Sequence, residues 1–426
     1  MLTWPSYGSG KRFSKVTVGD SVDWLGHIPT LVEPLIEKSK LTIYGYFAVG
    51  TGLVLLVPAA RLVIRLFHKA TVFLSTRRRA LNAVERRGRG RDRYEGDGAW
   101  TALPIEQPDN YEANVLAAKI LAVSNYKGGV GKTTLSANVA ACLAKKHNLR
   151  VLFIDLDFQG SGSSMAFGTR TWQPAEQQSS LAARAISGDI APSMLDQVAK
   201  NVWEAGDAGR GRLDMITSHY DLANADTRVL IEWLLRPKER RAKSLREWIG
   251  HLYLGKVYRP YDARYILAEL LHTRHCRNAY DIVLIDCPPR LTSGSIQALC
   301  ASSHVLLPTL ADWTSAENVV RYAQQLLNLK SGNVCPHINV MGIIPTRYRE
   351  TNNEAAGLDR LNDLNNRDNL NVPVVPEDCF IPMTTLLLEA QRNGIAYFTM
   401  GEAQNIASLK ASIEHCAQFV KNRMGL

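Results

Sequence analysis

The seven cysteines are odd in number and scattered from Cys142 to Cys416, with no C-x-x-C pair among them. That pattern argues against a zinc or iron–sulfur site. The apolar runs around most of them suit small buried hydrophobes in a reducing compartment. A cleaved leader is not expected: the first long apolar run begins only at residue 41, and no A-x-A-like site follows it. Net charge is missing where it would matter most. The chain as a whole is +10, yet residues 94–426 hold 34 basic and 34 acidic side chains. Bulk charge therefore gives that region no argument for binding nucleic acid.

The positive charge sits in one segment. Residues 1–40 are net +1, residues 41–60 carry no charge, and residues 61–93 hold eleven basic and two acidic side chains. The stretch LTIYGYFAVGTGLVLLVPAA (41–60) approaches the roughly 20 apolar residues that a membrane span needs. Its glycines and Pro58 are tolerated in such helices. Tyr44 and Tyr46 suit an outer interface, and the basic run beginning Arg61, Arg65, Lys69 marks the inner side. The expectation is an outer segment 1–40, a single span 41–64, and a basic juxtamembrane region and linker 65–114. The competing reading of the span is a buried or interfacial helix. The basic run reads as a topology signal with headgroup contacts, or alternatively as a nucleic-acid contact. Residues 86–110 have the Gly, Pro and charge content of a linker.

The chemistry begins at KILAVS (119–124), a short apolar strand followed by NYKGGVGKTTLSANVAACLAKK. Leu135, Val139, Ala140 and Leu143 recur at helical spacing, so a helix starts near Lys132. Strand, glycine loop and helix N-terminus make a phosphate site. Gly128, Gly129 and Gly131 let backbone N–H groups converge on oxygens. Lys132 adds charge for the β- and γ-phosphates of ATP, and Thr133 offers a hydroxyl to Mg²⁺. The common G-x-x-x-x-G-K-[ST] pattern fails, because Tyr126 stands at its first glycine and a second lysine, Lys127, opens the loop.

That loop, K-G-G-V-G-K-T, resembles the deviant Walker A of ParA/MinD-type ATPases. The resemblance implies that Lys127 acts in trans across an ATP dimer and Lys132 in cis. Lys127, Lys132 and Asp157 are then the catalytic set. The loop residues Lys127, Gly128, Gly129, Val130, Gly131, Lys132, Thr133 and Thr134 hold the nucleotide. RVLFIDLD (150–157) runs into FQGS and looks like the family's D-L-D-P-Q-G-N segment, with Phe158 at the usual proline. By resemblance Asp157 positions the attacking water and Asp155 supports the Mg²⁺ shell. YDIVLIDCPP (280–289) matches the Walker B strand, whose Asp286 would hold a Mg²⁺-bound water. Thr133, Asp155 and Asp286 are the expected metal residues. VMGIIPTRY (340–348) and VPVVPEDC (372–379) read as further strands, with Thr346 and Pro376 proposed near the adenine or serving only as turn formers.

Apolar strands alternating with helical stretches imply an α/β, doubly wound, mostly parallel sheet with helices on both faces, preceded by a single transmembrane helix. The ATPase domain would run 115–426, with a helical insertion near 230–280. That insertion carries the basic cluster 236–246, read as a solvated face or as a nucleic-acid or partner surface. The last 19 residues, 408–426, read as a packed helix, because Leu409, Ile413, Ala417 and Val420 form one stripe. Two functions follow, the first from the apolar span with its basic flank, the second from the motif resemblance. One is a membrane-anchored, ATP-dimerising switch that positions a protein client, single-pass in a bacterial inner membrane with its ATPase domain cytoplasmic. The other is a DNA-partition ATPase that binds DNA non-specifically in its ATP state.

Overall fold

The computed structural model describes residues 42, 61–67, 70, 71, 74, 78, 100, 101, 105–108, 111–168, 179–207, 209–235, 262–391, 393–401 and 406–426. The chain divides into two units, Met1–Val72 and Phe73–Leu426. In the first, residues 61–67 are helical, and Leu62, Val63, Ile64, Leu66 and Phe67 are all exposed. The expected span at 41–64 lies mostly outside the described residues, as do residues 1–40, the arginines at 86–93 and the basic cluster 236–246. Among the described residues no helix is long and apolar enough to cross a membrane.

In the second unit the elements described end to end start with helix α1 (Tyr111–Ala117), then β1 (Ile120–Val123), α2 (Lys132–Lys145), β2 (Arg150–Asp155), α3 (Ser161–Phe167), α4 (Leu181–Ser187) and α5 (Leu195–Val198). Next come β3 (Lys200–Glu204), β4 (Arg212–Ile216), α6 (Asp221–Leu235), α7 (Ile266–Leu271), α8 (Arg274–Ala279), β5 (Ile282–Asp286) and α9 (Ser293–Ala301). The chain ends with β6 (His304–Thr309), α10 (Trp313–Ser331), β7 (Asn339–Tyr348), α11 (Asn352–Arg367), β8 (Ile381–Pro382), α12 (Thr385–Gln391), α13 (Ala396–Thr399) and α14 (Ala407–Met424).

The eight strands lie in the order β3-β4-β2-β5-β1-β6-β7-β8, all parallel except the β3–β4 pair. The apolar runs become strands covered on both faces, and the period of two sends neighbours to opposite cores. Ile120, Ala122, Leu152, Ile154, Val283 and Ile285 pack on one side of the sheet with α4, α6, α7, α9 and α10. Leu121, Val123, Val151, Phe153, Ile282 and Leu284 pack on the other with α2 and α14. Helix α14 buries Leu409, Ile413, Ala417 and Val420 in that second core, so the C-terminal stripe is a packing face. Strand β1 sits centrally between β5 and β6, where the winding reverses; ligands of such sheets bind outside the strand ends at this switch point.

Two expectations need correction. Residues 372–379 do not form a strand: only Val374 makes an isolated bridge, to Ile343 of β7. Pro373 and Pro376 lack the N–H groups a ladder needs. And the sheet has an antiparallel edge, β3, that the apolar pattern did not announce; its residues are half or fully exposed.

Candidate nucleotide site

Three strand ends meet at the switch point. Val123 of β1 and Asp155 of β2 both pair in register with Asp286 of β5. The loop that leaves β1 is fastened before it reaches its glycines. Asn125 donates from Nδ2 to the Pro308 carbonyl (2.7 Å), and its Oδ1 accepts the Lys127 N–H (3.2 Å). Tyr126 lies against Tyr322 of α10, ring centroids 4.3 Å apart. The residue that breaks the commoner glycine pattern is thus an anchor for the loop. Gly129 and Gly131 both have φ of +75°, a left-handed conformation that a side chain disfavours. Thr346 of β7 bolts the loop from behind, its hydroxyl donating to the carbonyls of Val130 (2.7 Å) and Thr309 (3.1 Å).

Helix α2 starts directly at Lys132, and no side chain caps its N-terminus. Its first N–H groups and the positive end of its dipole therefore face whatever occupies the cleft. Lys132 is only 6% exposed and folds back over the loop, donating from Nζ to the Lys127 carbonyl (3.0 Å). Burial holds its pKa below the ordinary lysine value, while the charges of Asp286 and Asp157 oppose that shift. A cleft of about 640 Å³ opens here, lined on one wall by Gly128, Gly129, Gly131, Lys132, Thr133, Thr134 and Asp157. Val130 is fully buried and does not line it.

The three aspartates differ. Asp157 accepts the Gln159 N–H at Oδ1 (3.0 Å) and reaches the cleft. Asp155 is fully buried, with both oxygens engaged: Oδ1 by the Asp157 N–H (3.1 Å), Oδ2 by the N–H and hydroxyl of Ser163 (2.9 Å each). Burial raises its pKa to about 6 against these hydrogen bonds. Asp286 is fully buried too, but neither oxygen has a hydrogen-bond partner. Burial and then the charge of Asp155 push its pKa well above the carboxylate range, with Thr133 and Lys132 pulling it back. A buried carboxylate with idle oxygens beside a lysine and a threonine hydroxyl fits a hard divalent cation. Of the expected metal residues, Asp286 and Thr133 keep that capacity. Asp155 is held in the protein's own hydrogen bonds.

Lys127 is turned away from the cleft. Its ammonium donates to Ser315 Oγ and pairs with Asp312 (3.5 Å), the residue that caps α10 by accepting the Ser315 N–H (2.8 Å). The far wall of the cleft is formed by Arg347, Ile381, Pro382, Met383, Thr384 and Leu387. Pro376 does not line it; the 3-10 turn Glu377–Cys379 carries the chain on to β8, which delivers 381–384 instead. Sequence reasoning placed Thr346 in the cleft, which it lines beside Arg347, and missed the rest of this wall. Arg347, next to Thr346, holds a left-handed φ of +54° that costs of order 1–3 kcal/mol outside glycine.

The site is thus a phosphate-binding loop with two lysines, opposite paired strand-end carboxylates, on a P-loop sheet. A family model described as an AAA domain matches residues 118–333, just over half of the chain. The chain is 30% identical to the sporulation initiation inhibitor protein Soj of Bacillus subtilis over 216 residues, 49% of this chain and 68% of that protein. It is 26% identical to the chromosome partitioning protein ParA of Caulobacter vibrioides over 234 residues, 55% and 71% of the two chains. Among solved structures, a Cyanothece McdA–ATP complex superposes with a TM-score of 0.51 at 18% identity, covering 72% of this chain and 97% of that one, a likeness of fold. The chain belongs to the AAA-domain family, within its ParA/MinD-type P-loop ATPases.

Proposed function

We propose that this protein is a membrane-anchored ParA/MinD-like ATPase that binds ATP with Mg²⁺, dimerises around it, and hydrolyses it to ADP and phosphate as a switch that positions or recruits a protein client. The observation that carries the reading is the pairing, in one cleft, of a two-lysine glycine loop with an unpartnered buried carboxylate, Asp286. The α2 N-terminus and the loop N–H groups would hold the phosphates. Thr133 and Asp286 would hold Mg²⁺, which when bound neutralises phosphate charge. Lys132 would contact the β- and γ-phosphates. Asp157 would orient the attacking water and accept its proton. Arg347, Pro382, Met383 and Leu387 provide an apolar wall with one cation for the base. Lys127 would act on the partner's nucleotide, which requires it to leave Asp312 and Ser315.

The test is direct. Lys132→Ala is expected to abolish ATP binding, whereas Asp157→Ala keeps binding and accumulates an ATP dimer in gel filtration of the detergent-solubilised chain. A monomeric, ATP-loaded Asp157→Ala protein would overturn the sandwich mechanism. The anchor rests on the uncharged stretch 41–60 and on the five exposed apolar side chains among Leu62–Phe67. Full-length protein should resist extraction from membranes by carbonate and high salt; release by either would remove the anchor from the reading.

A second reading, a DNA-partition ATPase, is favoured by relatives that include chromosome partitioning ParA proteins. The balanced charge of residues 94–426 weighs against it. Tight binding of random duplex DNA by the Asp157→Ala dimer with ATP and not ADP, falling steeply with salt, would select it. An intact dimer that ignores DNA would select the protein client.

A further inference from the structure

We propose that Ser163 and Ser218 are positioning residues for Asp157, members of a closed hydrogen-bonded ring that fixes the turn carrying that carboxylate. The proposal rests on the reading of Asp157 as the residue that orients water. The ring starts at Asp155, at the end of β2. Its Oδ1 accepts the Asp157 N–H (3.1 Å) and its Oδ2 accepts the Ser163 hydroxyl (2.9 Å). The Ser163 hydroxyl oxygen accepts the Ser218 N–H (2.8 Å). The Ser218 hydroxyl donates to the Asp157 carbonyl (2.7 Å), and the ring is closed. Asp155, Ser163 and Ser218 are all fully buried.

The geometry constrains both peptide groups of Asp157. Its N–H is held by Asp155 and its carbonyl by Ser218, so the backbone cannot turn without breaking the ring. Its side chain is then steadied by the Gln159 N–H. Gly162, the residue before Ser163, packs tightly beside this ring: a Cβ there would sit 3.0 Å from Asp155 Oδ2 and from the Phe153 ring. Ser218 belongs to the turn between β4 and α6, far along the chain. It has no place in a phosphate motif, and nothing in its contacts points to one. Its hydroxyl does one thing, which is to fix the carbonyl of Asp157. Asp155 thus holds the turn with both of its oxygens. A carboxylate displaced by about 1 Å from its productive position costs on the order of a hundredfold in rate.

The experiment uses the full chain and measures kcat, the Kd for Mg·ATP and the lifetime of the ATP dimer. The variants are Ser218→Ala, Ser163→Ala and the double variant, with Asp157→Ala as control. Each single variant should lower kcat by about tenfold to a hundredfold and lengthen the dimer's life, with Kd unchanged. The double variant should be no slower than the slower single, since the ring opens only once. Ser218→Cys, which keeps the volume but is a poor donor, repeats the test should Ser218→Ala fold badly. Serine variants at the wild-type rate beside an inactive Asp157→Ala would overturn the ring alone. So would losses that multiply in the double variant, or kcat, Kd and Tm failing together. An Asp157→Ala protein as active as wild type would instead remove the functional reading beneath it.

Discussion

Two regions of the molecule bury charge completely and treat it in opposite ways. In the short turn before α7, Arg264 is fully buried with its guanidinium paired. Nε and Nη2 bind both oxygens of Asp262, Nη1 donates to the Trp100 carbonyl (2.6 Å), and the plane lies 4.9 Å from the Trp233 ring, itself stacked on Trp100. Asp262 also accepts the Glu106 N–H (3.1 Å). At the switch point, Asp286 is equally buried, yet both oxygens are idle. Folding alone tolerates a buried charge when its hydrogen bonds are complete. A charge left incomplete in an otherwise well-paired interior marks a place held ready for a ligand. The contrast separates what closes the fold from what the fold reserves.

The comparison breaks most visibly at Arg264. Arg264→Ala leaves Asp262 buried without its partner and removes the support under Trp233. The expected loss is about 3–5 kcal/mol of stability, with the affinity for Mg·ATP unaltered in the protein that remains folded. Urea unfolding at neutral pH measures it. A loss below about 1 kcal/mol would mean that the clasp is ornamental and the contrast empty.

A smaller effect should come from acid. His272, 8% exposed at the end of α7, has its pKa lowered by burial to about 4. The folded protein therefore holds the ring neutral, while the unfolded chain takes up a proton near pH 6.5. The stabilisation is complete above that pH and is lost as pH falls from about 6.5 to about 4, up to roughly 3 kcal/mol. His272→Leu should flatten the stability profile across that window relative to wild type. Parallel profiles would assign the acid loss to the carboxylates instead.

Legibility in the sequence followed the same divide. The loop 127–134 and the carboxylates Asp157 and Asp286 could be read because each sits beside its own strand, in a contiguous stretch whose spacing is the chemistry. Even Phe158, in the place of the usual proline, leaves the turn intact. The Gly160 N–H closes it onto the Asp157 carbonyl (2.9 Å), so no ring constraint on φ is needed. The cleft's second wall could not be read in this way. Arg347, Pro382, Met383 and Leu387 lie more than 200 residues from the loop and meet it only through β7 and β8. The partners of Asp155 were equally hidden, since a serine hydroxyl carries no periodic signal. Strand β3 was missed because an exposed edge lacks the apolar run that betrayed its neighbours. The Gly-rich stretch between Glu204 and Arg212 was the available sign of a hairpin.

The smallest stability change should come from the most important acid. Asp286→Asn replaces a buried carboxylate that burial penalises and that only Thr133 and Lys132 offset, so the ligand-free variant should unfold at the wild-type temperature or slightly above it. Nearly isosteric, the amide leaves β5 and its register with Asp155 undisturbed. What it loses is the anionic site for a divalent cation. In a thermal-shift series, wild type should gain stability with ATP as Mg²⁺ is added, in proportion to the logarithm of ligand over Kd. The variant should keep any shift due to ATP alone and lose the Mg²⁺-dependent part, together with turnover. A ligand-free Asp286→Asn protein destabilised by several kcal/mol would show that the carboxylate holds the fold after all, like Asp262. The two kinds of buried charge would then be one.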